Sequence, residues 1–220
     1  MTKHARYQDY VIRDGELVGE FEEMYQDFDD PWHQLANTPS APDKAAGLAL
    51  LDRLGRLFGA RRVVEIGCGL GRYAAAIAGA GFDVTGLDVS ETAVAKAREL
   101  HPAPDFHVGA ITDFDAIADL SPDVLVLAET SWYVLGDLPA FVDFARERLP
   151  DAFLLHLLVT YPADVQRYGR EVFTDLDGVK EFFAMNYLAS GETRSTDGHA
   201  HTHFLGTWRP ENLETWKRNQ

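Results

Sequence analysis

The run Glu65-Ile-Gly-Cys-Gly-Leu-Gly71, followed by Val84-Thr-Gly-Leu-Asp-Val-Ser90, holds the residue types best suited to gripping a nucleoside. Glycines at 67, 69 and 71 allow a tight turn whose backbone can pass close to a ligand, where a side chain would collide. Asp88 lies 21 residues beyond Gly67. At that separation in a strand–helix–strand unit, a carboxylate closes the second strand and can accept hydrogen bonds from ribose hydroxyls. Together these residues imply a cofactor that contains a nucleoside.

Holding them in place requires alternating strands and helices, and the sequence supplies that alternation. Strand Arg62–Ile66 leads to helix Gly71–Ala80, and strand Asp83–Leu87 to helix Glu91–Leu100, which Ser90 can cap. Strand Phe106–Val108 is followed by a short helix near Asp113–Ala118. Strand Asp123–Ala128 leads to helix Leu138–Leu149, and strand Ala152–Val159 follows. The pattern predicts a doubly wound α/β fold with a parallel sheet and helices on both faces. After a helix at Leu176–Phe183, the segments Met185–Arg194 and His199–Trp208 flank a Ser-Thr-Asp-Gly turn. That hairpin should add two antiparallel strands to one edge, making seven in all. Ligands of such sheets bind at the carboxyl ends of the strands.

Upstream, Leu48, Leu51, Leu54, Leu57 and Phe58 recur at helical spacing, with Asp43 as the expected cap. Residues 1–42 are irregular and rich in acidic and aromatic residues, and are expected to form a helical lid. Residues 43–220 are expected to form the cofactor-binding domain.

Composition narrows the partners. The net charge of −15 argues against nucleic acid, which requires clustered Lys and Arg, and against an anionic membrane surface. One cysteine, Cys68, permits no intramolecular disulfide and suits a reducing cytoplasm. The N-terminal residues are polar, and no apolar run is long enough to span a bilayer. A cytoplasmic monomer or homodimer acting on a small molecule is expected, without a metal.

The choice of cofactor turns on register. A dinucleotide fingerprint fits Gly69, Gly71 and Ala74 only by starting two residues after the strand has ended. Read from Gly67, its third glycine falls on Arg72. An NAD-dependent oxidoreductase would also need a second domain, for which the chain after strand Ala152–Val159 is too short. A non-catalytic cofactor-binding protein is the other alternative. The sequence instead resembles the class I S-adenosylmethionine-dependent methyltransferases over residues 45–208, through Glu65-Ile-Gly-Cys-Gly-Leu-Gly71, Asp88 and the terminal hairpin. Asp30-Pro-Trp-His33 and Ala128-Glu-Thr-Ser-Trp-Tyr-Val-Leu135 further resemble small bacterial methyltransferases of sugar and polysaccharide pathways, among them the nodulation N-methyltransferases. The resemblance implies S-adenosyl-L-methionine as cofactor, with Glu65 and the 67–71 turn near its methionine and ribose portions. It implies Asp88 on the ribose and Val89 and Ile111 flanking the adenine. Relatives often place an acidic residue just after the glycine of the third strand. Here Ala110 follows Gly109, so Asp113 or a backbone group must meet the adenine amine.

Methyl transfer from a sulfonium is an in-line displacement in which alignment is worth up to ~7–11 kcal/mol. A hydroxyl acceptor also needs a base, whereas a neutral amine reacts through its own lone pair. Glu129, directly after strand Asp123–Ala128, is the candidate base or cation contact, and a cofactor contact as well. The alternative is a solvated carboxylate. Tyr133 is a candidate wall of the acceptor pocket, and Trp132 reads as packing. Trp32 is a candidate cover over the cofactor. His156, among leucines, reads as a core histidine. His199, His201 and His203 alternate and should share a face, with His203 the candidate to reach the acceptor. Cys68 reads as a small packing residue.

Overall fold

Local signals order the N-terminal segment. After a 3-10 turn at Tyr7–Tyr10, strands β1 (Ile12–Arg13) and β2 (Glu16–Leu17) pair across an Asp14-Gly15 corner. Both corner residues take positive φ, 54° and 83°, the geometry that Asp-Gly favours in two-residue hairpins. Helix α1 (Phe21–Asp27) and a second 3-10 turn at Pro31–His33 follow. These coordinates are a computed structural model that describes residues 3–35, 41–162, 164–196 and 198–219. Residues 36–40 of the expected lid, and Asp197 in the expected hairpin turn, lie outside the described residues.

The alternation begins with α2 (Pro42–Phe58), β3 (Arg62–Ile66), α3 (Arg72–Gly79), β4 (Asp83–Asp88) and α4 (Glu91–Leu100). It continues through β5 (Asp105–Val108), α5 (Phe114–Asp119), β6 (Val124–Ala128), α6 (Leu138–Arg148) and β7 (Phe153–Thr160). The chain ends in α7 (Leu176–Phe183), β8 (Asn186–Arg194), β9 (Ala200–Thr207) and α8 (Pro210–Arg218). The sheet runs β5-β4-β3-β6-β7-β9-β8, parallel as far as β7, with β9 and β8 antiparallel. This is the expected doubly wound α/β sheet of seven strands. Successive residues of the inner strands serve opposite cores, as strands covered on both faces must. Val63, Val124 and Val126 meet Leu51, Leu54, Ile77 and Val94 on one face. Val64, Leu125 and Leu127 meet Ile117, Phe141 and Phe183 on the other.

Besides one-residue shifts at several element ends, two features of the domain differ from expectation. Asp43 does not cap α2. Pro42 takes the first helical position, where its fixed φ fits and its missing N–H is no loss, so the helix starts two residues earlier, with Ala41 at the cap position. Asp43 is left inside the first turn, only 2% exposed. Helix α8 was not expected. Its Trp216 is 2% exposed and lies under the Arg53 guanidinium, 4.0 Å from the ring centroid. The spacing of Leu213 and Trp216 after Arg209-Pro210 was the signal for it.

A third cluster fastens the N-terminal segment to the domain. Tyr10, Met24 and Tyr25 pack against Leu70 and Ala93. Beside them Glu22 accepts hydrogen bonds from Ser90 Oγ (2.6 Å), Thr92 N (3.1 Å) and Thr92 Oγ1 (2.6 Å), adding a second cap to the expected Ser90 cap of α4. Burial pushes the Glu22 carboxyl up, but the Ser90 and Thr92 bonds outweigh it and hold it at about 2. A carboxylate lowered by folding stabilises the protein above its ordinary value of 4.5, and that contribution is lost as pH falls toward about 2. Glu22→Ala should therefore cost about 1–3 kcal/mol in urea denaturation at neutral pH, a difference that narrows on acidification below 4.5. A pH-independent difference would contradict this assignment.

Candidate active site

Between β3 and α3 the chain turns through Gly67–Gly71, with Gly67, Gly69 and Gly71 at φ of 75°, 54° and 73°. Four of the turn's amides find partners outside it, and Gly71 N donates within it to Cys68 O. Gly67 N and Cys68 N donate to Leu87 O, and Gly69 N donates to Asp88 Oδ2 at 2.8 Å. Leu70 N donates to Gln34 Oε1 at 2.8 Å, and Gln34 Nε2 in turn donates to Tyr25 OH. Asp88 Oδ1 also accepts from Ser90 N at 3.0 Å. Burial raises the Asp88 carboxyl above its ordinary value, against the pull of these amides.

A cavity of about 650 Å³ opens at the carboxyl ends of the strands, roofed by the N-terminal segment. Glu65, Gly67, Asp88, Val89 and Ile111 line it, together with Glu129, Tyr133 and Trp32. Eight residues separated by as many as a hundred positions thus share one wall. Gly69 and Gly71 do not line it. A Cβ on Gly69 would collide with Gln34 and Tyr25, and one on Gly71 with Phe106, so these glycines make room for the protein's own side chains.

The carboxylates in the cavity differ sharply. Glu65, on β3, is 2% exposed, and its Oε2 has no hydrogen-bond partner. Burial pushes it up to about 8, although Lys44 and the Ala74 amide pull the other way. Glu129 stands at φ 62°, a left-handed backbone that costs a non-glycine residue about 1–3 kcal/mol and tends to accompany function. Its Oε2 accepts from Val159 N at 3.0 Å. Burial, and then the Asp43 carboxyl, push Glu129 up to about 7. Asp113 does not line the cavity. Its Oδ2 accepts from Ala110 N at 2.7 Å, and Gly109, Ala110 and Ile111 form the wall there.

His203 is also absent from the cavity wall; His201 is present. The reason is strand direction. β9 runs antiparallel to β7, so its start lies at the carboxyl edge: Ala200 pairs with Thr160, His201 with Val159, and His203 only with Leu157. Going deeper along β9 moves away from the site. His203 packs over Gly191 instead, and burial lowers its imidazole below the ordinary value. Among the described residues, no group of three or more His, Cys, Asp or Glu is placed to hold a metal ion.

Trp132 and Tyr133 both line the cavity. Trp132 donates its indole N–H to Val159 O at 2.8 Å and packs on Phe173, binding the loop to the sheet. Tyr133 lies 5.5 Å from Trp32 and 5.7 Å from Phe21 between ring centroids. Burial raises its phenol well above the ordinary value, so it stays protonated. His156 is fully buried, bonded to Ser131 Oγ and stacked on Phe204, and burial lowers it to about 3. Burial likewise raises the Cys68 thiol. Sequence reasoning missed Gln34, Lys44, Arg72, Tyr161 and His201 as lining residues, and Asp43 as one whose side chain faces inward. Arg72, the residue after Gly71, was the most legible of these.

Residues 63–150 match the family described as "Methyltransferase domain". A search of curated proteins gives no significant match. Among solved structures, the chain is similar to the N-methyltransferase NodS from Bradyrhizobium japonicum WM9 in complex with S-adenosyl-L-homocysteine. That match has 19% identity and a TM-score of 0.60, covering 86% of this chain and 98% of that one. It is also similar to the magnesium protoporphyrin IX methyltransferase ChlM from Synechocystis PCC 6803 with bound S-adenosylhomocysteine, at 16% identity and a TM-score of 0.55, covering 91% of each chain. These likenesses establish the Rossmann-like fold, and no helix among the described residues is long and apolar enough to cross a membrane. The domain match spans the glycine turn, Asp88 and the edge that bears Glu129, so residues 63–150 resemble a methyltransferase domain, on a fold shared with small bacterial S-adenosylmethionine-dependent methyltransferases.

Proposed function

We propose that this enzyme methylates a hydroxyl or amine of a small polar acceptor, with a sugar or amino-sugar as the favoured class. The observation that carries the proposal is the meeting of Asp88, the unpartnered Glu65 Oε2 and Glu129 in one cavity at the strand edge. The groups on that wall fit S-adenosyl-L-methionine. Glu65 Oε2 would take the ammonium of its methionine portion, and the cations Lys44 and Arg72 its carboxylate. Each Asp88 oxygen already accepts one amide and has a lone pair left for a ribose hydroxyl. Val89, 52% exposed, and Ile111 offer apolar faces for the adenine.

When bound, the cofactor supplies an electrophilic methyl group on a positively charged sulfur. The protein aligns, encloses and manages protons. Residues 1–42 serve as the lid, with Trp32 as part of the roof, and residues 43–220 as the domain beneath. Excluding water this way strengthens every charge interaction inside. Glu129 accepts a proton from the acceptor, and Tyr133, protonated throughout, donates a hydrogen bond or presents its ring to it. A net charge of −15 and a single cysteine support a cytoplasmic enzyme of small molecules rather than of nucleic acid. The fold shared with an N-methyltransferase supports an amine within the class.

Two predictions test this. In calorimetry, S-adenosylmethionine and S-adenosylhomocysteine should bind and NAD should not, and Asp88→Ala should weaken binding by about 1–3 kcal/mol. Unchanged affinity would refute the ribose contact. Because folding raises Glu65 to about 8, the carboxyl is mostly protonated at pH 7, and an incoming ammonium favours its ionised form. Binding of S-adenosylhomocysteine at pH 7 should therefore release about one proton, read from buffers of different ionisation enthalpy. Glu65→Gln should abolish most of that release; an equal release in the variant would contradict the assignment.

A further inference from the structure

The sheet order splits the cavity into two halves. Asp88 and Val89 follow β4, and Gly109–Ile111 follow β5, on one side of the glycine turn. On the other side, toward β7 and β9, lie Glu129, Asp43 and His201. Asp43 is 2% exposed, lines the cavity, and its Oδ1 has no hydrogen-bond partner. His201 Nδ1 is 3.4 Å from that oxygen, close enough to attract but outside hydrogen-bond geometry, and the imidazole keeps partial access to solvent. The Asp43 carboxyl also stands near enough to Glu129 to push it up. A buried carboxylate oxygen left bare beside a second carboxylate is costly unless a cation arrives.

We propose that Asp43 and His201 complete an acid–base cluster with Glu129 that selects an acceptor bearing a basic amine, received as an ammonium and deprotonated there. This rests on the methyl-transfer function above and names the substrate class of that same site. The ammonium N–H gives its proton to a Glu129 oxygen, and His201 carries that proton to solvent. The freed lone pair forms the N–C bond as the C–S bond breaks, and the sulfur keeps the bonding pair, leaving a neutral thioether and a methylated ammonium. Asp43 raises Glu129 and offers its bare oxygen to the ammonium.

Three observations favour an amine over a hydroxyl. The bare Asp43 oxygen needs a donor that carries positive charge. A carboxylate held near 7 is matched to an ammonium, whose ordinary value runs from about 8 to about 10, and lies far below what ionising an aliphatic hydroxyl demands. The aromatic faces of Phe21, Trp32, Tyr133 and Tyr161 line the same cavity, and such faces attract cations. The charged and titratable groups around Glu129 are Asp43 and Lys44 from α2, His201 from β9, and the protonated phenols of Tyr133 and Tyr161.

The test uses the full chain saturated with S-adenosylhomocysteine and titrated calorimetrically with glucosamine and with glucose. Glucosamine should bind at least about tenfold more tightly than glucose. Its affinity should climb as pH rises through about 7, where Glu129 ionises. Asp43→Asn removes the like charge, so that climb should move to lower pH, a change that a merely structural role would not cause. His201→Gln should slow methyl transfer to glucosamine severalfold while leaving its affinity nearly unchanged. Both variants should still bind S-adenosylhomocysteine; if Asp43→Asn does not, His201→Gln alone decides. Glucose binding as tightly as glucosamine, no detectable binding of glucosamine, or an unmoved pH profile with an unchanged rate in His201→Gln would overturn the proposal. Failure of the unmodified chain to bind S-adenosylhomocysteine would instead overturn the methyl-transfer function itself.

Discussion

The glycine turn exposes amides that neither β3 nor α3 can satisfy, and the structure depends on how they are paired. Asp88 takes the Gly69 amide with one carboxylate oxygen and the Ser90 amide with the other. That joins the end of β4 to the turn and to the start of α4 at a single side chain. Ser90 in turn donates its hydroxyl to Glu22, and Gln34 accepts from Leu70, so the N-terminal segment is tied into the same network. Orphaned buried amides would cost about 1–3 kcal/mol each, which is why a polar network replaces simple packing here.

The network also sets the electrostatics of the cavity. Asp88 and Glu22 are satisfied by donors, whereas Glu65 and Asp43 each retain a buried oxygen without a partner. Burial then drives Glu65 and Glu129 upward, and each becomes a place where a positive group is welcome. In the proposed function these two places serve different cations, one on the cofactor and one on the acceptor. The same contrast, donors for one carboxylate and none for the next, separates scaffold from chemistry.

Much of the sheet was legible because apolar runs and glycine punctuation are local signals. β3, α4 and α7 begin and end at the expected residues, and the terminal hairpin adds its two antiparallel strands to one edge of the sheet, as expected. The errors came where three dimensions decide. Pro42 displaced Asp43 from the cap into the cavity. His203 and His201 look alike on an alternating strand, and only the antiparallel direction of β9 reveals which one reaches the carboxyl edge. Gln34 carries no motif, yet it occupies the space that glycine leaves at position 69. Helix α8 and the β1–β2 hairpin have legible local signals, in Leu213 with Trp216 and in Asp14-Gly15.

The central claim is that the N-terminal segment and the strand edge close one cofactor site through the Asp88 network. Hydrogen–deuterium exchange with and without S-adenosylhomocysteine tests it directly. The account predicts that the cofactor product slows exchange both in peptides spanning residues 64–72 and 88–92 and in those spanning residues 20–35. Protection confined to the strand edge, with residues 20–35 exchanging as before, would contradict it.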